Sequence, residues 1–106
     1  MVVGSIELQL RLEGCQCLKD KRRVLRGFMA RIRRDFNVAI AEVDDHDLWG
    51  NATIGVACVS NDAHHAESVL QHVVDALDEC SEVSVESAVK KIERCWAETD
   101  SVSADV

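Results

Sequence analysis

Eight of the twelve Lys and Arg residues of this 106-residue chain lie in one stretch, "LKDKRRVLRGFMARIRRDF" (18–36), although the formal net charge is −7. Counted at about 100° per residue, Lys19, Arg22, Arg23, Arg26, Arg33 and Arg34 share a band of roughly 120° on a helix, and only Lys21 and Arg31 fall elsewhere. Residues 11 to 34 carry nine positive and two negative side chains, net +7. The remainder carries three positive and seventeen negative, net −14. A stripe of cations without i,i+4 carboxylates repels itself until something neutralises it. Six of the eight are Arg, whose planar fork suits phosphate. The chemistry on offer is the binding of an anion, phosphate backbones above all. A solvated face paired with acids elsewhere in the fold is the plainer expectation.

Three other constellations have weaker claims. Asp44-Asp45-His46-Asp47-Leu48-Trp49 gathers the donor types of a divalent-cation or acid/base site. It lacks the Gly and Glu spacing of a calcium loop. Such stretches are more often hairpin turns whose Asp side chains cap backbone N–H groups, here with Leu48 and Trp49 tucked against the sheet. Asp44, Asp47 and Trp49 are its candidate partner contacts, since loops carry recognition. Cys15-x-Cys17 could ligate a soft metal, and a helix N-terminus beside it would favour thiolate. No second pair stands at a convincing spacing, so incidental thiols are expected, with Cys58 and Cys80 as packing residues. His65 and His72 are seven residues apart, about 10.5 Å along a helix, too far for one metal. No catalytic residue, metal or cofactor is expected.

These residues need elements to position them. Residues 3 to 12 alternate, with Ile6, Leu8, Leu10 and Leu12 on one face, as a half-buried strand does. From Leu18 the period turns helical, with Leu18, Leu25, Phe28, Met29, Ile32 and Phe36 as the apolar stripe and Asn37 as the stop. Strands are expected at 38–43 and 52–60, joined by the polar turn at 44–51. Asn61 and Asp62 are N-cap candidates for a second helix, built on Ala66, Val69, Leu70, Val73, Val74 and Leu77. Residues 83–96 read as a fourth strand of imperfect alternation, through Val83, Val85, Val89 and Ile92, with helical character after Ser87 left open. The order β-α-β-β-α-β implies a ferredoxin-like two-layer α+β sandwich, a four-stranded antiparallel sheet with both helices on one face. Ala39, Ala41, Val43, Gly55, Ala57 and Val59 then point to the opposite face. That face lacks the aromatic platform of an RNA-recognition sheet and suits a homodimer contact.

The composition agrees with one domain over 1–96 that needs no staples: 47% hydrophobic, 29% charged, 4% aromatic, without Pro. No apolar run nears the roughly 20 residues of a membrane span. The opening "MVVGSIELQL" is unlike a secretory signal, and the five Cys are an odd number without framework spacing. A cytoplasmic protein with free thiols is expected. Residues 97–106 are acidic and polar, and disorder is expected there.

"LKDKRRVLRG", "RDFNVAIAEVDDHDLWGNATIGVACVSND" and "HHAESVL" resemble the YlxP-like family of small bacterial proteins, over about residues 1 to 95. The resemblance rests on the L-K-[DE]-K-R-R helix start, F-N-V, A-E-V-D, D-L-W and an S-x-D before the second helix. It implies a ferredoxin-like fold and no established enzymatic activity. Family members are commonly encoded near ribosome-binding factor A and translation initiation factors, which implies a role around RNA or ribosome assembly. Two departures stand out. Cys17 replaces a Ser that would form a capping box with Asp20, so the helix start should be poorly capped. Gly50-Asn51 follow Trp49 where the family has Gln and a basic residue. The expectation is a non-enzymatic binding protein that presents Lys19, Arg22, Arg23, Arg26, Arg33 and Arg34 to RNA or a ribosomal assembly intermediate. The alternative is a homo-oligomeric adaptor docking the basic helix on an acidic protein.

Overall fold

A computed structural model of the chain describes residues 1–95. The acidic tail expected at 97–106 and the strand end expected at Trp96 lie outside the described residues. The elements are β1 (Val2–Leu12), α1 (Leu18–Asp35), β2 (Ala39–Asp44), β3 (Asn51–Ser60), α2 (Ala63–Asp78) and β4 (Val83–Arg94). The sheet is antiparallel throughout, in the order β2-β3-β1-β4, which is the ferredoxin-like α+β arrangement. The alternation in β1 buries Val2, Ile6, Leu8, Leu10 and Leu12 beneath the helices. Between them Gly4 leaves room for α2: a Cβ there would stand 3.1 Å from Leu70 Cδ1 and 3.2 Å from Cys58 Sγ.

Both helices bury the stripe their periodicity assigns. In α1, Leu25, Phe28 and Ile32 are fully buried together with Val24, while Leu18, Met29 and Phe36 are half-buried at the margins. Each fully buried aliphatic or aromatic side chain contributes about 1.5–3 kcal/mol through burial. In α2, Ala66, Leu70, Val73 and Leu77 are buried, and Asp62 caps the helix by accepting from the His64 N–H at 3.0 Å. The Cys58 thiol donates to the Ala66 carbonyl at 3.7 Å, and Cys80 is half-buried against the core.

β4 is strand along its whole length, with no helical turn after Ser87. Its imperfect alternation has a local cause. The register with β1 shifts between Gln9 and Leu10, where Val85 pairs with Leu10 and Ser87 with Gln9, leaving Glu86 as the extra residue. A bulge exchanges the two faces. Val83 and Val85 therefore point inward before it, and Ala88 and Ile92 after it. Val89 faces outward, 68% exposed.

The outer sheet face carries Ala39, Ala41, Val43, Gly55, Ala57 and Val59, as the alternation predicts. Val43 is the extra residue of a second register shift, and its Cγ1 lies over Gly55, 3.0 Å from where a Cβ would stand. All of these outer-face residues but Val59 join Ser5, Glu7, Val89 and Lys91 around a shallow apolar concavity of about 530 Å³. Among the described residues no helix is long and apolar enough to cross a membrane.

Candidate functional site

Lys21 is the first surprise in the basic helix. It lies within the arc spanned by Val24, Leu25, Phe28 and Ile32, and it is 1% exposed. Its Nζ donates to the carbonyls of Asp45 and Leu48, each at 2.6 Å, and stands 2.7 Å from Glu42 Oε2. Two of the three N–H donors of the ammonium thus have carbonyl acceptors, and the third charge contact is an ion pair. Glu42 Oε2 is buried and accepts no hydrogen bond among the described residues, so its charge depends on Lys21.

That ammonium organises the β2–β3 loop. Asp45 adopts a left-handed backbone, φ +63°, which Asp tolerates better than most residues. The Asp45 N–H donates to Asp44 Oδ1 at 2.8 Å, and its carboxylate accepts from the buried Thr53 hydroxyl at 2.6 Å. The Leu48 N–H donates to the Asp45 carbonyl at 3.0 Å, and the Leu12 N–H to the Gly50 carbonyl at 3.0 Å. The stretch is therefore a turn with Asp side chains serving backbone and hydroxyl donors, as expected. Leu48 and Trp49 are not tucked against the sheet, however: they are 49% and 50% exposed, because the hydrogen bonds that fix their backbone turn them outward. Asp44, His46 and Asp47 are exposed as well. Among the described residues no three His, Cys, Asp or Glu side chains converge as metal ligands.

The outward cations divide into two groups. Arg33 donates to the Ile40 carbonyl on edge strand β2 at 2.9 Å, and Arg34 binds Asp35 through two N–H groups at 3.0 and 3.5 Å. That hydrogen bond holds the Asp35 carboxyl below the usual carboxylate range. Both arginines stand in the last turn, where the helix dipole favours a cation. Lys19, Arg22, Arg23 and Arg26 stand in the first half, and Lys19 lies in the first turn, where the dipole disfavours a cation. The four line a concavity of about 410 Å³ with Asp20. Arg23 reaches Glu82 only at 3.9 Å, between half-exposed side chains, a pair worth about 0–1 kcal/mol. Lys19, Arg22 and Arg26 have no carboxylate partner among the described residues.

The helix start adds to this positive end. Cys17 is the N-cap, with extended backbone (φ −162°, ψ 169°) and no side-chain cap hydrogen bond, as the loss of Ser implied. Asp20 Oδ2 instead accepts from the Gln16 N–H at 3.2 Å. Cys15 favours the neutral thiol over the thiolate that a nearby helix terminus could promote. The side chain is buried, and burial first, then the Asp20 carboxylate, pushes its thiol above the ordinary range. Cys17 is exposed, so the two thiols face different surroundings.

All six cations of the expected stripe are exposed; Lys19, Arg22, Arg23 and Arg26 line one concavity, while Arg33 and Arg34 stand apart with hydrogen bonds to Ile40 and Asp35. Sequence reasoning missed Lys21, although the helical wheel had already set that residue apart from the basic band.

The sequence is similar to other chains over most of its length. The family model described as "Protein of unknown function (DUF503)" matches residues 3–94. The chain is 32% identical over 82 residues to the "Uncharacterized protein YlxP" of Bacillus subtilis (strain 168), a similarity covering 77% of this chain and 89% of that protein. On both grounds the chain belongs to the DUF503 family, to which YlxP-like proteins also belong.

Proposed function

We propose that the protein is a non-enzymatic RNA-binding factor that takes the phosphate backbone on the first half of α1, ribosomal assembly intermediates being the RNA class that its family resemblance implies. The observation that carries this is the state of Lys19, Arg22 and Arg26. They are outward, without carboxylate partners among the described residues, and repel one another at i,i+3 and i,i+4 spacings, while Lys19 also stands in the first turn, where the dipole disfavours a cation. A bound phosphate chain relieves both costs at once. The acidic remainder keeps the rest of the surface from trapping nucleic acid and orients the encounter.

Phosphate contacts position a strand without reading its sequence. Four such contacts to a single strand predict a log–log salt slope of roughly −2.8, or about 50-fold weaker binding at 200 mM than at 50 mM salt. Fluorescence anisotropy with a labelled RNA measures it. The triple change Arg22→Glu, Arg23→Glu, Arg26→Glu should abolish binding while circular dichroism stays unchanged. Salt-insensitive binding, or binding that survives the triple change, contradicts the proposal. So does recovery of an acidic protein on this helix after nuclease treatment, the result an adaptor would give.

The same proposal includes a second copy on the outer sheet face. The face measures about 33 by 19 Å from strand rise and spacing, roughly 600 Å², comparable with the ~800 Å² each partner contributes to a standard interface. Glu7 has no cation partner among the described residues, and Lys91 is tied only to Glu93 of its own strand at 3.0 Å. A two-fold axis through the apolar concavity lets Glu7 of each copy meet Lys91 of the other. Sedimentation should report a dimer, and Ala57→Arg at the centre of the face should return a monomer. A monomeric unmodified chain overturns this part.

A further inference from the structure

We infer that Trp49 is a stacking platform for one unpaired base of the strand whose phosphates lie along Lys19, Arg22, Arg23 and Arg26, so that the site takes single-stranded rather than duplex RNA. This rests on the phosphate site proposed above.

Trp49 has what a platform needs. Its indole is held half in water, although the neighbouring core takes up almost every large aliphatic side chain of the strands and helices. Its backbone is fixed on both sides: the Leu48 carbonyl accepts from Lys21 Nζ, and the Gly50 carbonyl accepts from the Leu12 N–H. An aromatic ring on a fixed backbone loses little freedom when a flat partner lands on it. Lys21 also sets the location. It sits between Lys19 and Arg22 in α1, so the loop is anchored within the reach of one lysine side chain from the backbone that carries the cations.

The acids of the loop decide what part of the ligand arrives there. Asp45 faces inward to Thr53, but Asp44 and Asp47 are exposed beside Trp49. Carboxylates repel a phosphate chain and leave a neutral base free to approach, so the backbone stays on α1 and only a base reaches the loop. A duplex cannot meet that demand, because its bases are already stacked and paired. Unpaired bases are the ones that stack on protein aromatics.

The test uses the full chain with Trp96→Phe, which leaves Trp49 as the sole indole. The probes are a short oligoadenylate and the same strand annealed to oligouridylate. Oligoadenylate should quench Trp49 fluorescence, and the duplex should not. Trp49→Ala should weaken single-strand binding roughly 5- to 140-fold, the equivalent of about 1–3 kcal/mol for one stacked base, with the salt slope unchanged. Trp49→Phe should recover part of that loss. Absent quenching, equal losses for single strand and duplex, or a duplex bound as tightly as the single strand each overturn the inference while leaving salt-dependent phosphate binding in place. If neither probe binds in a salt-dependent way, the phosphate site falls with it.

Discussion

Lys21 and Arg22 are adjacent in the chain and carry the same charge, yet the roughly 100° that separates them on α1 turns one to the core and the other to water. Lys21 is 1% exposed, with a carboxylate and two loop carbonyls on its ammonium. Arg22 is exposed, has no carboxylate partner among the described residues, and shares a concavity with three other cations. The inward cation has given up its hydration, which is costly, and depends on complete pairing to be tolerated. The outward ones keep their water and their mutual repulsion. One helix therefore uses positive charge in two ways, as a strut that fixes a loop and as an unfilled anion surface. Angle on the helix, and not residue type, separates them.

The largest expected effect comes from breaking the inward side. Lys21→Ala leaves the Glu42 carboxylate and two loop carbonyls without their donor. Removing one partner of a buried pair costs about 3–5 kcal/mol, to be read from urea denaturation. Adding Glu42→Gln should return part of the loss, because the stranded charge disappears while the carbonyls stay unsatisfied. The loop should loosen as well, and the emission of Trp49 in a Trp96→Phe background should report a wetter, more mobile indole. A loss below about 1 kcal/mol, the range of an exposed ion pair, would mean that Lys21 is not the strut.

That contrast also shows what the residues alone could tell. Element order, strand faces and helix stripes were legible because each follows from periodicity within a few neighbouring residues. Ile6 to Leu12 and Ala66 to Leu77 each obey one rule without interruption. The cation cluster at Lys19 to Arg26 was legible for the same reason. Lys21's role was not, since its acceptors are the carbonyls of Asp45 and Leu48, 24 and 27 residues away, and backbone carbonyls leave no mark in a sequence. The outward turn of Trp49 depends on that same long-range contact. The faces of β4 were not legible, because a bulge at Glu86 exchanges them, and single-residue insertions of register are invisible to a count of alternation. Arg33 shared the angle of the stripe, but its acceptor is the Ile40 carbonyl on β2, which a helical wheel does not contain.

The smallest effect belongs to the outward side, and its sign is the sharper test. Neutralising Arg22, Arg23 and Arg26 to Gln removes like charges that repel across i,i+3 and i,i+4 spacings, each pair costing about 0.2–0.5 kcal/mol. Against this stands one weak contact, Arg23 with Glu82 at 3.9 Å. The triple Gln variant should therefore be as stable as the parent or slightly more stable at low salt. The difference should shrink as salt shortens the screening length from about 30 Å at 0.01 M to about 3 Å at 1 M. Paired urea titrations at the two salt concentrations measure it. Lys21 and its neighbours would then change stability in opposite directions, as a strut and an unfilled surface must. A loss of more than about 1 kcal/mol in the triple variant, beyond the usual range of surface substitutions, would instead show that the outward cations hold the fold together, and the two sides of α1 would no longer differ in kind.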